Sequence, residues 1–224
     1  MRQALRPHAL SLAFCVLLVL ALIGQAFTGL AHYNEQATSS GLPVMSLVEY
    51  VTSSHFTVDV AENWQSEYLQ FLLYILFTVW LLQKGSPESK ELDKAGRESD
   101  EQQKVGAHAR PDSPSWVRAG GWRLRLYSRS LGLTMGAFFA LSWLAQLVAG
   151  RSAYNSEQLQ SLQDPAGWRE YATSPDFWNR TFQNWQSEFL AVASMVVLSI
   201  FLRERGSPES KPVGEPHGST GIEG

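Results

Sequence analysis

Four stretches of this chain are almost free of charged side chains, and the segments between them hold nearly all of its Asp, Glu, Lys and Arg. An α-helix rises about 1.5 Å per residue and a bilayer's hydrocarbon core is about 30 Å thick, so a spanning helix needs roughly 20 apolar residues. Residues 10–30 meet that length with Ser11, Gln25 and Thr28 as their main polar side chains, and residues 131–149 do so equally well. Residues 68–82 and 189–202 are a few positions short. Trp64 and Trp185 extend them, because indole favours the membrane–water interface. The mean hydropathy of −0.13 averages over these two populations and describes neither. The pattern predicts spans over about 10–30, 64–83, 129–149 and 185–204. A cleavable signal peptide is the alternative for the first run, with Arg2 and Arg6 before it and Gly24-Gln25-Ala26 near its end. The run is long for that purpose, and a counterpart starting at Leu131 sits in mid-chain.

Self-similarity sharpens the reading. Asn63-Trp64-Gln65-Ser66-Glu67 recurs as Asn184-Trp185-Gln186-Ser187-Glu188, and Gly85-Ser86-Pro87-Glu88-Ser89-Lys90 recurs as Gly206-Ser207-Pro208-Glu209-Ser210-Lys211, both 121 positions later. The same offset carries Gln25 onto Gln146, Gly29 onto Gly150, Tyr33-Asn34 onto Tyr154-Asn155 and Glu49-Tyr50 onto Glu170-Tyr171. Thr52-Ser53 and Phe56 fall likewise onto Thr173-Ser174 and Phe177. The expected fold is all-α and integral to the membrane: four transmembrane helices from two tandem two-helix repeats, with short interfacial helices. Each repeat holds an even number of spans, so the two copies share one orientation about an axis along the membrane normal. The first repeat occupies 1–90 and the second 122–211. Between them, 91–121 mixes charges of both signs with few apolar residues and is expected to be a disordered linker; the tail 212–224 is expected to be disordered as well.

The duplicated pentapeptide and hexapeptide resemble a family of bacterial multi-pass membrane proteins known as a domain of unknown function, over the whole chain. The resemblance implies a bacterial inner-membrane protein and brings no catalytic residues with it.

Basic residues orient the spans. Lys84, Lys90, Lys94, Arg97, Lys104, Arg110, Arg118, Arg123 and Arg125 follow the second span, whereas residues 31–63 contain no Lys or Arg. The third connection holds Arg151, Arg169 and Arg180; Arg203, Arg205 and Lys211 follow the last span, and Arg2 and Arg6 precede the first. Both termini are therefore expected in the cytoplasm.

Local signals fill in one repeat. Tyr33-Asn34 and Tyr154-Asn155 suit an interfacial tyrosine and a helix stop. Asp164-Pro165 and Ser174-Pro175 each suit an N-cap followed by proline at the first helical position. They predict a short surface helix through Trp168, Glu170 and Tyr171, then a long helix over about 175–205 with its first-copy equivalent over about 54–84. Gly85 with Pro87, and Gly206 with Pro208, suit helix stops. Trp116, Trp122 and Tyr127 alternate with Arg118, Arg123 and Arg125 in an amphipathic approach to the third span, where Trp116 and Trp122 join Trp64 and Trp185 as interfacial anchors.

Composition excludes several chemistries. A net charge of −3 argues against a nucleic-acid binder. One cysteine, Cys15, precludes an internal disulfide and a cysteine-rich zinc site, and the five histidines show no ligand spacing. No catalytic set, metal centre or cofactor is expected. The most distinctive polar groups are Gln25, Asn63 and Glu67 with their counterparts Gln146, Asn184 and Glu188, expected to cluster at the outer boundary. An acidic residue within a span is a functional candidate, while the structural alternative is that Glu67 and Glu188 sit hydrated at headgroup level and set helix register. The function read from these features is a non-enzymatic structural or interaction role in the bacterial envelope. Its partners would be the bilayer and a second copy or another membrane protein. The alternative is a small channel or transporter using Glu67 and Glu188. An interfacial enzyme using Glu49 and Glu67 rests on residue type alone.

Overall fold

The computed structural model describes residues 6–223, so Arg2 lies outside the described residues. Eight α-helices follow one another: α1 (Ala9–Ser39), α2 (Leu47–Val51), α3 (Ser54–Phe77), α4 (Ser115–Ala119), α5 (Gly121–Tyr127), α6 (Ser130–Gln160), α7 (Trp168–Ala172) and α8 (Pro175–Phe201). Single 3₁₀ turns lie at Arg6–His8 and Gly106–His108. Three stretches are long and apolar enough to cross a membrane: Ala9–Ser39, Ser130–Gln160 and Trp168–Phe201. Their large side chains are exposed, among them Leu10, Phe14, Leu20, Leu141 and Leu190. Such surfaces are tolerated where lipid is the solvent.

The second expected span departs from this. The continuous helix expected over 54–84 stops at Phe77. Trp80 and Leu81 both donate their main-chain N–H to Phe77 O, and the Val79 carbonyl accepts from Gly96 N at 2.7 Å. The chain thus leaves the helical path, and the apolar residues after Phe77 fall in a turn. What remains of α3 carries Asp59, Glu62 and Glu67, and α3 is not among the three long apolar stretches.

The chain divides into two compact units, Met1–Ala61 with Ala145–Ala172, and Glu62–Leu144 with Thr173–Gly224. The first unit shows how the duplicated residues shape the connections. Tyr33-Asn34 and Tyr154-Asn155 do not stop their helices, which run on to Ser39 and Gln160. Each asparagine instead clamps the chain that returns past it. Asn34 Oδ1 accepts from Met45 N at 2.8 Å while its Nδ2 donates to Met45 O at 2.9 Å. Asn155 brackets Ala166 in the same way, at 2.8 and 3.2 Å. This clamp also explains why Asp164-Pro165 does not open the short surface helix. With Ala166 held at both its N–H and its C=O, the helix begins at Trp168, and Glu170 Oε2 accepts from Gly167 N at 3.2 Å. In the first copy Ser46 and Glu49 form a full capping box on α2. That bond to the Ser46 main chain holds the Glu49 carboxyl below its ordinary range. The Ser174-Pro175 signal is realised: Ser174 Oγ accepts from Phe177 N at 3.2 Å, and Pro175 is the first residue of α8.

The short helices dock through tyrosines. Tyr50 and Tyr171 are buried, and their hydroxyls lie where a side chain on Gly29 or Gly150 would stand, at 2.3 Å from an ideal Cβ in both cases. Burial pushes the Tyr50 phenol up, with the charge of Asp59 adding to it. Val58 packs with Ala149 and Ala153, again small residues that let chains approach closely.

An alanine in a helix interior normally stabilises by up to about 1 kcal/mol over glycine. Gly24→Ala, with nothing within 4 Å of the new methyl, should follow that rule. Gly150→Ala should instead destabilise by about 1–3 kcal/mol through overpacking, and Tyr171→Phe in the same chain should recover part of the loss. Thermal unfolding of the detergent-solubilised protein distinguishes the signs.

Candidate functional site

The six residues expected to form one polar cluster divide between the two compact units. Gln25, half-buried, and Gln146, fully buried, belong to the first; Asn63, Glu67, Asn184 and Glu188 belong to the second. Within the second unit, Glu67 and Glu188 are near enough for the charge of one to act on the other. Their identical pentapeptides nonetheless occupy unlike surroundings. Gln65 and Ser66 are buried, whereas Gln186 and Ser187 are exposed. The link between the copies runs one way: Trp185 Nε1 donates to Gln65 Oε1 at 2.8 Å. Trp185 also stands among Trp143, Phe182 and Phe189. Trp64, by contrast, is exposed. Beside this pair the Arg180 guanidinium reaches Glu62 at 3.2 Å and Asp176 at 3.3 Å. Arg180 aligns with Asp59 and Glu62 with Gln183, so this ion pair cannot occur in a second, symmetric version.

The second unit also holds an arrangement that reading the chain for helix stops did not find. Gly85 and Gly206 take φ of +86° and +87°, a left-handed conformation that favours glycine. They do not cap helices, since α3 and α8 end well before them, and the main-chain N–H at the α8 C-cap, Leu202, bonds Leu198 O. Each instead begins a compact hook. Ser89 Oγ accepts from Gln83 N at 2.9 Å and donates to Lys90 O at 3.1 Å; Ser210 Oγ accepts from Glu204 N at 3.0 Å and donates to Lys211 O at 3.1 Å. The lysine then reaches six residues ahead. Lys90 Nζ donates to Gly96 O at 2.7 Å and Lys211 Nζ to His217 O at 2.8 Å.

From this shared core the hooks diverge. Lys90 pairs with Glu98, which that contact holds below the usual carboxylate range. Lys211 is buried and donates to four carbonyls, those of Gly85, Pro216, His217 and Ser219, at 2.7 to 3.3 Å. Burial, and secondarily the charge of Arg203, keeps its ammonium below the ordinary lysine range. The carbonyl of Gly85 comes from the other hook, so Lys211 ties the two motifs together. Thr220 Oγ1 accepts from Gly85 N at 2.9 Å, and Gly221 N donates to Ser86 O at 3.0 Å. The tail expected to be disordered therefore lies over the first hook, where Ser86 and Pro87 are buried.

The corresponding glutamates meet as well. Glu88 hydrogen-bonds Glu209 and accepts from the Tyr74 hydroxyl. The bond to Glu88, followed by that residue's charge, holds Glu209 above the usual carboxylate range. A carboxyl set beside another carboxylate keeps its proton more readily than one alone in water. The signal for this pairing was present in the repeated hexapeptide, where a glutamate and a lysine recur in both copies. Nothing in the order of residues said that the copies touch. Among the described residues, no group of three or more His, Cys, Asp and Glu is arranged to hold a metal ion.

A family model matches residues 1–222. The chain belongs to the family described as Domain of unknown function (DUF6766). No curated protein and no solved structure matches it. Membership of the DUF6766 family covers both hooks and the tail that lies on them, and it carries no activity over to this chain.

A carboxyl whose folded value is raised favours the contact when protonated, so the Glu88–Glu209 contact is strongest in acid and weakens as pH rises beyond the ordinary carboxylate range. Protection of the Gly221 amide, corrected for intrinsic exchange, should fall as pH rises above the ordinary carboxylate range and become flat in Glu209→Gln. Lys211→Gln should lower that protection about ten-fold or more at every pH, since it removes charged hydrogen bonds to four carbonyls.

Proposed function

We propose that this protein is a non-enzymatic, multi-pass protein of the bacterial inner membrane with a structural or interaction role in the envelope. It comprises two tandem two-span repeats, and both termini face the cytoplasm. What supports this reading most is where the duplicated residues are used. Asn34 and Asn155 clamp returning chain, Gly29 and Gly150 admit tyrosines, and Ser89 and Ser210 close hooks whose lysines bind carbonyls. Identity between the copies thus goes in large part into main-chain architecture. The four-span count relies on α3 together with Val79, Trp80, Leu81 and Leu82, which bring the apolar length of the second span close to a bilayer's thickness even though none of the four is helical. The partner best suited to this role is a second copy of the chain or another membrane protein.

Reporter fusions after residues 40, 100, 160 and 215 should read outside, inside, outside and inside. A fusion at 100 that reads outside would remove the second span and with it the parallel repeat.

One observation favours a second reading, a small channel or transporter: Glu67 and Glu188 lie in one compact unit, near enough for the charge of Glu67 to act on Glu188. In proteoliposomes, a cation or proton flux that falls about ten-fold or more in Glu67→Gln/Glu188→Gln, with unchanged folding, would establish it. Equal flux in protein-free vesicles and in both protein samples leaves the structural role standing.

A further inference from the structure

The amphipathic approach to α6 folds into a groove. Trp116 from α4, Leu126 and Tyr127 from α5, and Leu133, Phe138 and Leu141 from α6 line an almost wholly apolar hollow of about 380 Å³. Trp116 and Trp122 pack edge to face with ring centroids 5.9 Å apart, and the Arg123 guanidinium lies over the Trp122 ring at 5.7 Å. The hollow follows α6 from Ser130 to Leu141, about 16 Å at the helical rise. One leaflet of hydrocarbon is about 15 Å deep. The groove therefore has the length of a single acyl chain, starting at the end of α6 that carries the aromatic residues.

Charge gathers at that same end. Arg118, Arg123, Arg125 and Arg129 are all exposed, and no Asp or Glu occurs from Ser113 to Ser156. A formally acidic protein thus presents four exposed arginines in the segment 118–129, which also supplies Leu126 and Tyr127 to the apolar slot. Neutral lipid would fill the slot equally well but would leave the four guanidinium groups without a counter-charge. Arginine forms bidentate hydrogen bonds with phosphate, and its charge is permanent.

We propose that this groove is a binding site for one acyl chain of an anionic phospholipid, whose phosphate and negatively charged headgroup are held by Arg123, Arg125 and Arg129. The inference rests on α6 crossing the bilayer, as in the reading above. It adds selectivity for headgroup charge and a defined seat for the chain.

The test uses the full-length protein, extracted in detergent from vesicles of phosphatidylglycerol and phosphatidylcholine mixed in equal amounts, with the retained lipid identified by native mass spectrometry. Phosphatidylglycerol should be retained in preference, and each arginine replaced in the series Arg123→Gln, Arg125→Gln, Arg129→Gln should lower that preference by about five-fold. Ala137→Phe, which fills the hollow from an exposed position, should reduce retained lipid of both kinds while leaving the arginines in place. Equal retention of the two lipids by the parent chain overturns the proposal, as does a preference that survives all three arginine replacements. If the triple variant fails to fold, the Ala137→Phe result decides: unchanged retention refutes the groove. A protein that needs no detergent for extraction would refute the membrane reading itself, which is a separate outcome.

Discussion

A helix satisfies its own main-chain hydrogen bonds, and wherever the chain leaves a helix those groups need other partners. In this protein the connections meet that need with side chains at fixed offsets. Asparagine clamps the returning chain past α1 and past α6, serine closes each hook, and lysine collects the carbonyls that the hook exposes. Long apolar helices can tolerate exposed leucine and phenylalanine where lipid surrounds them, but an unpaired carbonyl at the helix end would cost about 1–3 kcal/mol. Asn34, Asn155, Ser89, Ser210, Lys90 and Lys211 all stand where that need arises.

The same chemistry leads to different results in the two copies, because the copies are neighbours as well as duplicates. Lys90 and Lys211 both reach six residues ahead, yet only Lys211 takes a carbonyl from the opposite hook. Trp185 donates to Gln65, whereas Trp64 is exposed. Arg180 is available to Glu62 because the first copy has Asp59 at the matching position. One-way contacts of this kind give a duplicated sequence a single way to assemble, since exchanging the copies would leave Arg180 and Gln65 without those partners.

Much of the fold was legible from the chain alone. The apolar runs mark α1, α6 and α8 because lipid-sized helices need about 20 apolar residues. The Ser174-Pro175 start was legible because capping is a local interaction. Three signals misled for one shared reason. Asn34 does not stop α1, Asp164 does not cap α7, and Gly85 does not cap α3, because each residue's surroundings are set by chain that arrives from elsewhere. Asn34 engages Met45, Ala166 is already held by Asn155, and Gly96 draws Val79 off the helical path of α3. The candidate polar cluster was legible as residue types at a constant offset. Among the described residues, two of its members lie near enough for the charge of Glu67 to act on Glu188.

By itself, the sequence determined the helical class, the three long apolar stretches and the recurrence of motifs at one offset, since periodicity, hydrophobic length and repeated motifs are properties of residue order. Tertiary structure decided that Gly29 and Gly150 receive tyrosine hydroxyls and that Glu88 meets Glu209. It also decided that Lys211 draws the tail onto the first hook. These contacts join residues up to 135 positions apart, and short-range forces along the chain carry no information about which distant groups will share the space they enclose.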